Sequence, residues 1–274
     1  MPRPRPLPPA LHAQPFTIRQ GTDAGLTRRR TRAIDLVSPW HGVRAPAAVE
    51  ITLLIRARGL ALASGAVVSH LSAAALWGFP LPLHFEDHNI IHLTSRNGAR
   101  AVRRKNVCGH RLPLAEDEIS DGRYIACTSP LRTWFDLAGI LTLHELVIAG
   151  DFLLRRKAPL STPQALDAFL AEKKGRAGYP KALKARALIR ANTDSPKETE
   201  LRLLLTAAGL PEPGINVPMF DETGGWIQDP DMSYEEFKIA IQYDGGHHAT
   251  PVQRRSDIYR DENARGLGWS SARS

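Results

Sequence analysis

The sequence predicts a mixed protein of the α+β / α/β class: an N-terminal winged helix-turn-helix, a middle mixed α+β region and a C-terminal domain of its own. Three observations predict it. Residues 16–46 run in the order helix, turn, basic helix, strand. Residues 88–128 break into short runs bounded by Gly, Asn and Asp, with helical periodicity on either side. From Asp194 onward the order is helix, three strands, helix, with acidic residues near the strand ends.

Bulk properties narrow the function classes. A chain of 274 residues is long enough for about two domains. Its 43% hydrophobic and 23% charged residues are ordinary for a soluble globular protein. The net charge of +8 favours a polyanionic partner, nucleic acid first, with a merely basic surface as the alternative. Two cysteines, Cys108 and Cys127, make neither a disulfide framework nor a zinc site. The longest apolar runs, LALASGAVV and LVIAG, are too short to span a bilayer, and MPRPRPLPPALHAQP lacks the apolar core of a signal peptide. A cytoplasmic location is therefore expected.

Taken in order, residues 1–15 are expected to be a disordered proline-rich tail, because proline removes backbone donors and little apolar surface is present. Residues 16–80 form the helical, winged-helix-like DNA-binding region. FTIRQGTDAG gives a short helix that Gly25 breaks. Thr27 can cap a second helix, RRRTRAIDLV, with Ile34 and Val37 on one side and Arg28, Arg29 and Arg32 largely on the other. Such a helix enters the major groove and its arginines reach phosphates or guanine edges; the alternative is a solvated face. Two more helices follow over 47–78, the second capped by Ser69. His70 reads as a satisfied core or surface histidine rather than a ligand.

Residues 81–192 form the middle region. HNIIHLTS, RRKNVCGHRL and GRYIACTS predict three strands. His84, His88, His92 and His110 share no metal-ligand spacing, so no metal site is expected among them. Helices return over 129–192, with Ser129 and Pro130 opening the first.

In residues 193–274, Ser195 caps a helix, Pro196 suits its first position and Glu198 stands where a capping box wants an acid. INVPMF, GWIQDPDM and FKIAIQYDG read as a meander. Alternation places Ala240, Gln242 and Asp244 on one strand face, and Asp231 ends the neighbouring strand. Oxygen ligands converging there suit Mg²⁺; the alternative is a polar strand end at a Gly-Gly turn. His247 and His248 follow, as general base, phosphate contact or solvated turn. Thr250 and Pro251 open a helix whose Arg254, Arg255 and Arg260 can track a backbone.

At these residues the chain resembles a bacterial family of Vsr-like (very-short-patch-repair-like) endonuclease-domain proteins, whose N-terminal domain is similar to AbiEi-type abortive-infection antitoxins. The matching pieces are GLTRRR, SHLSAAALWGFPLP, CTSPLRTWFDLA, SPKETELRLLLTAAGLPEP and QYDGGHHATPVQRRSDIYRDE. In order, they span nearly the whole chain after the proline tail. The resemblance implies a restriction-endonuclease-like PD-(D/E)xK fold for 193–274, with a helix Glu, a strand Asp and a Glu-x-Asp-Gly element. By motif these fall on Glu198, Asp231 and Gln242 with Asp244. The chain departs from the pattern in three places. Gln242 keeps a carbonyl oxygen but lacks the charge of the usual Glu. Asp244 stands where the wider pattern has lysine. The chain stops at GLGWSSARS, where relatives of this type usually continue through a further strand and helix. SSARS has no apolar pattern to replace them, so an incomplete domain with an open sheet edge is expected.

The expected function is DNA binding with metal-dependent endonuclease activity. Mg²⁺ (or Mn²⁺) would be held by Asp231, Gln242 and Glu198. Asp244 would orient a ligand or the water, and His248 would act as base or phosphate contact. Arg28, Arg29, Arg32, Arg254 and Arg255 would contact DNA. The alternative is a non-catalytic, antitoxin-like transcriptional regulator with a degenerate nuclease domain. A toxin partner and homo-oligomerisation stay open.

Overall fold

Local capping chemistry starts the first elements. Thr17 Oγ1 accepts the Gln20 N–H and the Gln20 side chain accepts the Thr17 N–H, so α1 (Ile18–Asp23) begins directly after β1 (Phe16–Thr17). The computed structural model describes residues 4–86, 89–96, 98–122, 125–243 and 262–273. It divides into two compact units, Met1–Ile140 and Leu141–Ser274.

The helix expected over RRRTRAIDLV is not formed. Thr27 Oγ1 does accept the Arg30 N–H, but only a 3₁₀ turn, Arg30–Arg32, follows before β2 (Leu36–Val37). The cause is local. Arg44 Nε takes the Thr31 carbonyl at 2.7 Å, the acceptor a continuing helix would offer to the Asp35 N–H. Arg30 turns back onto Asp35 through two bonds of 2.8 and 2.7 Å. Arg44 lies on β3 (Val43–Pro46), which pairs antiparallel with β1 and β2 in a sheet ordered β1-β3-β2. Residues 4–15, expected to be disordered, place Leu7 and Leu11 against Phe16, Leu26 and Leu36.

Two helices predicted over 47–78 are present as α2 (Leu53–Ser64) and α3 (His70–Trp77), separated by the short β4 (Val67–Val68). Gly65 ends α2 in the left-handed region at φ 69°, where a side chain would be strained. Gly59 lets Trp40 lie on α2: a Cβ there would come within 2.0 Å of the indole ring. After the short α4 (Leu83–Glu86), the three strands predicted over 88–128 are found as β5 (Ile91–Thr94), β6 (Val107–His110) and β8 (Ile125–Thr128), with β7 (Ile119–Gly122) added. They form a mixed sheet ordered β6-β5-β4-β8-β7. Helices α3 and α5 (Pro130–Leu137) pack on each other, and α3 packs on β5. Ala57, Leu60, Ala73, Leu93 and Cys127 are among the buried residues of this core.

The second unit starts with α6 (Leu143–Leu153), α7 (Pro163–Glu172), α8 (Tyr179–Leu188) and α9 (Pro196–Ala207), where the sequence predicts helices. Helix α6 packs on α8 and α9. The predicted meander is only partly formed: INVPMF is split between β9 (Gly214–Ile215) and β10 (Met219–Phe220), GWIQDPDM gives β11 (Trp226–Gln228) and the first residue of β12 (Met232–Tyr234), and FKIAIQYDG gives β13 (Ile239–Gln242); β10 and β11 pair in a separate ribbon. The SSARS segment, expected to add nothing to the sheet, forms β14 (Ser270–Arg273), parallel to β13. Strand pairing uses backbone groups and needs no apolar pattern; Leu267 and Trp269, just before it, pack against Met219, Ile227, Ala240 and Ala264. The sheet is ordered β14-β13-β12-β9. Among the described residues no helix is long and apolar enough to cross a membrane.

Candidate functional site

An ion pair inside the second unit sets the position of α9. Arg202 and Asp151 are almost wholly buried, and Arg202 Nη2 donates to Asp151 Oδ2 at 2.8 Å. Thr199 Oγ1 and the Arg190 N–H also donate to Asp151, and Arg202 Nη1 reaches Glu212 at 2.8 Å. Burial raises the Asp151 carboxyl above its ordinary value; Arg202 and the donated hydrogen bonds oppose that shift without cancelling it. The network ties α6 to α9 and so fixes the first turn of α9.

That first turn carries Glu198. Ser195 Oγ accepts the Glu198 N–H at 3.2 Å, as a cap should. The Glu198 carboxylate is buried, and its Oε2 accepts the Asp194 N–H and Asn216 Nδ2, each at 2.9 Å. It therefore serves its own helix start and also ties α9 to the segment after β9. Asn216 in turn donates its N–H to the Asp231 carbonyl.

Asp231 lies immediately before β12, and the antiparallel pairing of Met232 with Ile241 brings it level with Gln242 at the end of β13. Gln242 Nε2 donates to Asp231 Oδ1 at 3.0 Å, and the Tyr243 N–H donates to Oδ2 at 2.6 Å. Asp231 thus precedes a strand, where the sequence reading has it end one, and the amide of Gln242 presents its N–H to the acid. Burial raises the Asp231 carboxyl. The Tyr243 N–H lowers it, the charges of Glu198 and Asp194 raise it again, Arg156 opposes them, and the net shift is upward. Asp194 behaves oppositely. Burial would raise it, but hydrogen bonds and charge from Arg156, with Lys157, hold it below the ordinary carboxylate value. Arg156 bridges Asp194 and Asp229. Asp231, Glu198 and Asp194 thus form one acidic neighbourhood, with Gln242 on its rim. Asp244, His247, His248, Arg254 and Arg255 lie outside the described residues.

In the first unit Arg28, Arg29 and Arg32 are exposed around the 3₁₀ turn, while Arg30 is held by Asp35. The arginines predicted to face DNA are thus presented from a turn.

Sequence spacing gives no metal site among the histidines, yet the fold assembles one kind of cluster. His70, His92 and His110 each bring a potential ligand atom within 4.8 Å of the others. His92 and His110 stand on neighbouring parallel strands, where His92 pairs with Cys108, two residues before His110. His92 Nδ1 and His110 Nε2 are 3.0 Å apart, and the rings of His70 and His110 stack at 3.6 Å. Burial holds His70 at about 2, with the charges of His110, His92 and Arg132 acting the same way. Ser69, expected to cap α3, makes no side-chain cap; its Oγ lies 3.0 Å from His70 Nδ1 and accepts from Thr94 Oγ1. Strand register, which spacing along the chain does not encode, makes this cluster.

No protein-family model matches the chain. It is similar to two uncharacterized proteins of Mycobacterium tuberculosis, MT2308 of strain CDC 1551 / Oshkosh and Rv2248 of strain ATCC 25618 / H37Rv. Each is 26% identical over 236 residues, covering 86% of this chain and 83% of the relative.

Proposed function

We propose that the chain is a DNA-binding protein whose C-terminal unit hydrolyses DNA phosphodiester bonds with a divalent cation. One observation carries this reading: Asn216 joins the buried Glu198 carboxylate to the Asp231 backbone, and the Asp231 carboxylate meets Gln242 at the end of β13. Carboxylate and amide oxygens are hard donors and suit Mg²⁺ or Mn²⁺. The donor set fits. Each carboxylate oxygen has about two acceptor positions, so the bonds already made to Asp231 leave room for an ion. A turn of the Gln242 amide would bring its carbonyl oxygen to the same place. Asp231, Glu198 and Gln242 would hold the ion, with Asp244 orienting and His248 as base or phosphate contact. The ion, when bound, supplies an acidified water and charge compensation at the phosphate.

The protein's own part is positioning. The Arg202–Asp151 pair holds the start of α9, Asn216 ties Glu198 to the segment after β9, and the β12–β13 register aligns Asp231 with Gln242. Arg28, Arg29 and Arg32 would supply sequence-independent attraction for phosphate.

A second reading, a non-catalytic antitoxin-like regulator with a degenerate nuclease unit, is favoured by one contact. Gln242 Nε2 already satisfies Asp231 Oδ1, so the acid has a neutral partner without any ion. Plasmid nicking with Mg²⁺ or Mn²⁺ separates the two. The parent protein should nick and Asp231→Ala should not. Equal activity in both would remove the site assignment, and no activity together with a shifted band on the gene's own promoter would establish the regulator.

A further inference from the structure

The histidine cluster of the first unit has the geometry of a ligand site. Three imidazoles from three elements, α3, β5 and β6, converge with ligand atoms within 4.8 Å. Two nitrogens bound to one tetrahedral zinc, at about 2.0–2.1 Å each, lie about 3.3 Å apart. The 3.0 Å separation of His92 Nδ1 and His110 Nε2 needs only a small opening to reach that.

Three further features point the same way. First, His70 has φ 50°, in the left-handed region that a residue with a side chain rarely adopts. Strain of this kind persists where the surroundings hold a side chain for a purpose. Second, Asp136 Oδ2 is buried without a hydrogen-bond partner and lies 3.8 Å from His70 Nδ1. A carboxylate behind the non-ligating nitrogen of a histidine is the usual outer partner of a metal-bound imidazole, because it fixes the tautomer and ring direction. With Nδ1 directed to Ser69 Oγ and Asp136, Nε2 is the His70 nitrogen available to an ion. Third, the outer carboxylate is fixed in place, because Arg132 pairs with both Glu118 and Asp136.

We propose that His70, His92 and His110 bind one divalent transition-metal ion of the zinc class, with Asp136 as the outer carboxylate that positions His70. The ion replaces the contact between His92 and His110, and the Nδ1–H tautomer of His70 is selected. Imidazole is a borderline donor that prefers Zn²⁺ or Co²⁺ to Mg²⁺. Three protein ligands leave a fourth position for water or a small anion. The site is separate from the oxygen-donor neighbourhood of the second unit and does not depend on it.

The test uses full-length, tag-free protein stripped with a chelator. Titration with Zn²⁺ and Co²⁺, read by elemental analysis and by the visible absorption of cobalt, should give one ion per chain and the intense bands of low-coordinate cobalt. His92→Gln and His110→Gln should lose both signals with far-ultraviolet circular dichroism unchanged. Asp136→Asn should weaken binding by about 10- to 100-fold. Asp231→Asn, which alters the oxygen-donor neighbourhood, and His84→Gln should bind as the parent does. Long-range ¹H–¹⁵N spectra of the parent should show three imidazoles moving with Zn²⁺, a readout independent of how any variant folds. Zn²⁺ that leaves those imidazoles unmoved, or that binds His92→Gln and His110→Gln as tightly as the parent, would overturn the proposal.

Discussion

Replacing Gln242 with glutamate asks directly whether the acidic neighbourhood of the second unit is a cation site. The substitution exchanges the amide N–H that lies 3.0 Å from Asp231 Oδ1 for a carboxylate oxygen. Two unit charges 3.0 Å apart repel by about 1.4 kcal/mol at a dielectric constant of about 80 and by about 5.5 kcal/mol at an effective value of about 20. Gln242 is exposed, so the lower figure applies. The lost hydrogen bond adds roughly 1 kcal/mol. Without divalent ions, Gln242→Glu should therefore unfold about 2 kcal/mol more easily than the parent. A cation held between the two acids reverses this. An ion present at about 100 times its dissociation constant stabilises by about 2.7 kcal/mol, enough to remove the deficit. The assay is urea unfolding in a chelator and in excess Mg²⁺, with NaCl matched for ionic strength. Mg²⁺ should restore the variant and raise its nicking rate above the parent's. If Mg²⁺ and matched NaCl act identically on Gln242→Glu, the acids share no ion and the cation reading is wrong.

Two further outcomes follow from other contacts. Arg202→Leu leaves Asp151 buried with only neutral donors, which costs about 3–5 kcal/mol; the urea midpoint should fall by roughly 1–3 M. The sign with pH is fixed: Asp151 is already raised, so protonation favours the folded state and stability falls as pH rises through the shifted range. Losing Arg202 raises it further, so the deficit of the variant should be larger at alkaline than at mildly acidic pH, and a pH-independent deficit would refute the charge account. Combined Arg28→Ala, Arg29→Ala and Arg32→Ala should weaken DNA binding most at low salt and flatten its salt dependence by about 3 in log–log slope; binding and slope equal to the parent's would clear the 3₁₀ turn of any phosphate role.

Much of the order of elements is legible because it rests on local chemistry. Ser129, Thr162 and Ser195 cap helices with Pro at the next position, and each side chain accepts the N–H three residues on. What failed was decided at a distance. The helix over RRRTRAIDLV has a sound cap at Thr27, but Arg44, thirteen residues beyond Thr31, takes the carbonyl needed for its second turn. Ser69 has the right residue type for a cap, yet Thr94 and His70 claim its hydroxyl. β14 carries no apolar signature, because the edge of β13 asks only for backbone partners.

The same distinction separates the two candidate sites. Asp231 and Gln242 stand at strands joined by a short connection, so the antiparallel register of β12 and β13 sets their pairing, although Asp231 precedes β12 and does not end the strand read from GWIQDPDM. His92 and His110 sit on parallel strands, whose register no turn sets, and His70 arrives from a helix by way of a strained backbone. Spacing rules for metal ligands assume that nearby donors in sequence are nearby in space. Here the parallel register brings the histidines together, and the orphaned oxygen of Asp136 marks the cluster in a way that no spacing does. A buried carboxylate oxygen without a hydrogen-bond partner beside three imidazoles is the expensive part of this core. An ion that drew Asp136 and His70 into a firm contact would relieve that cost, so the two observations that sequence could not supply explain each other.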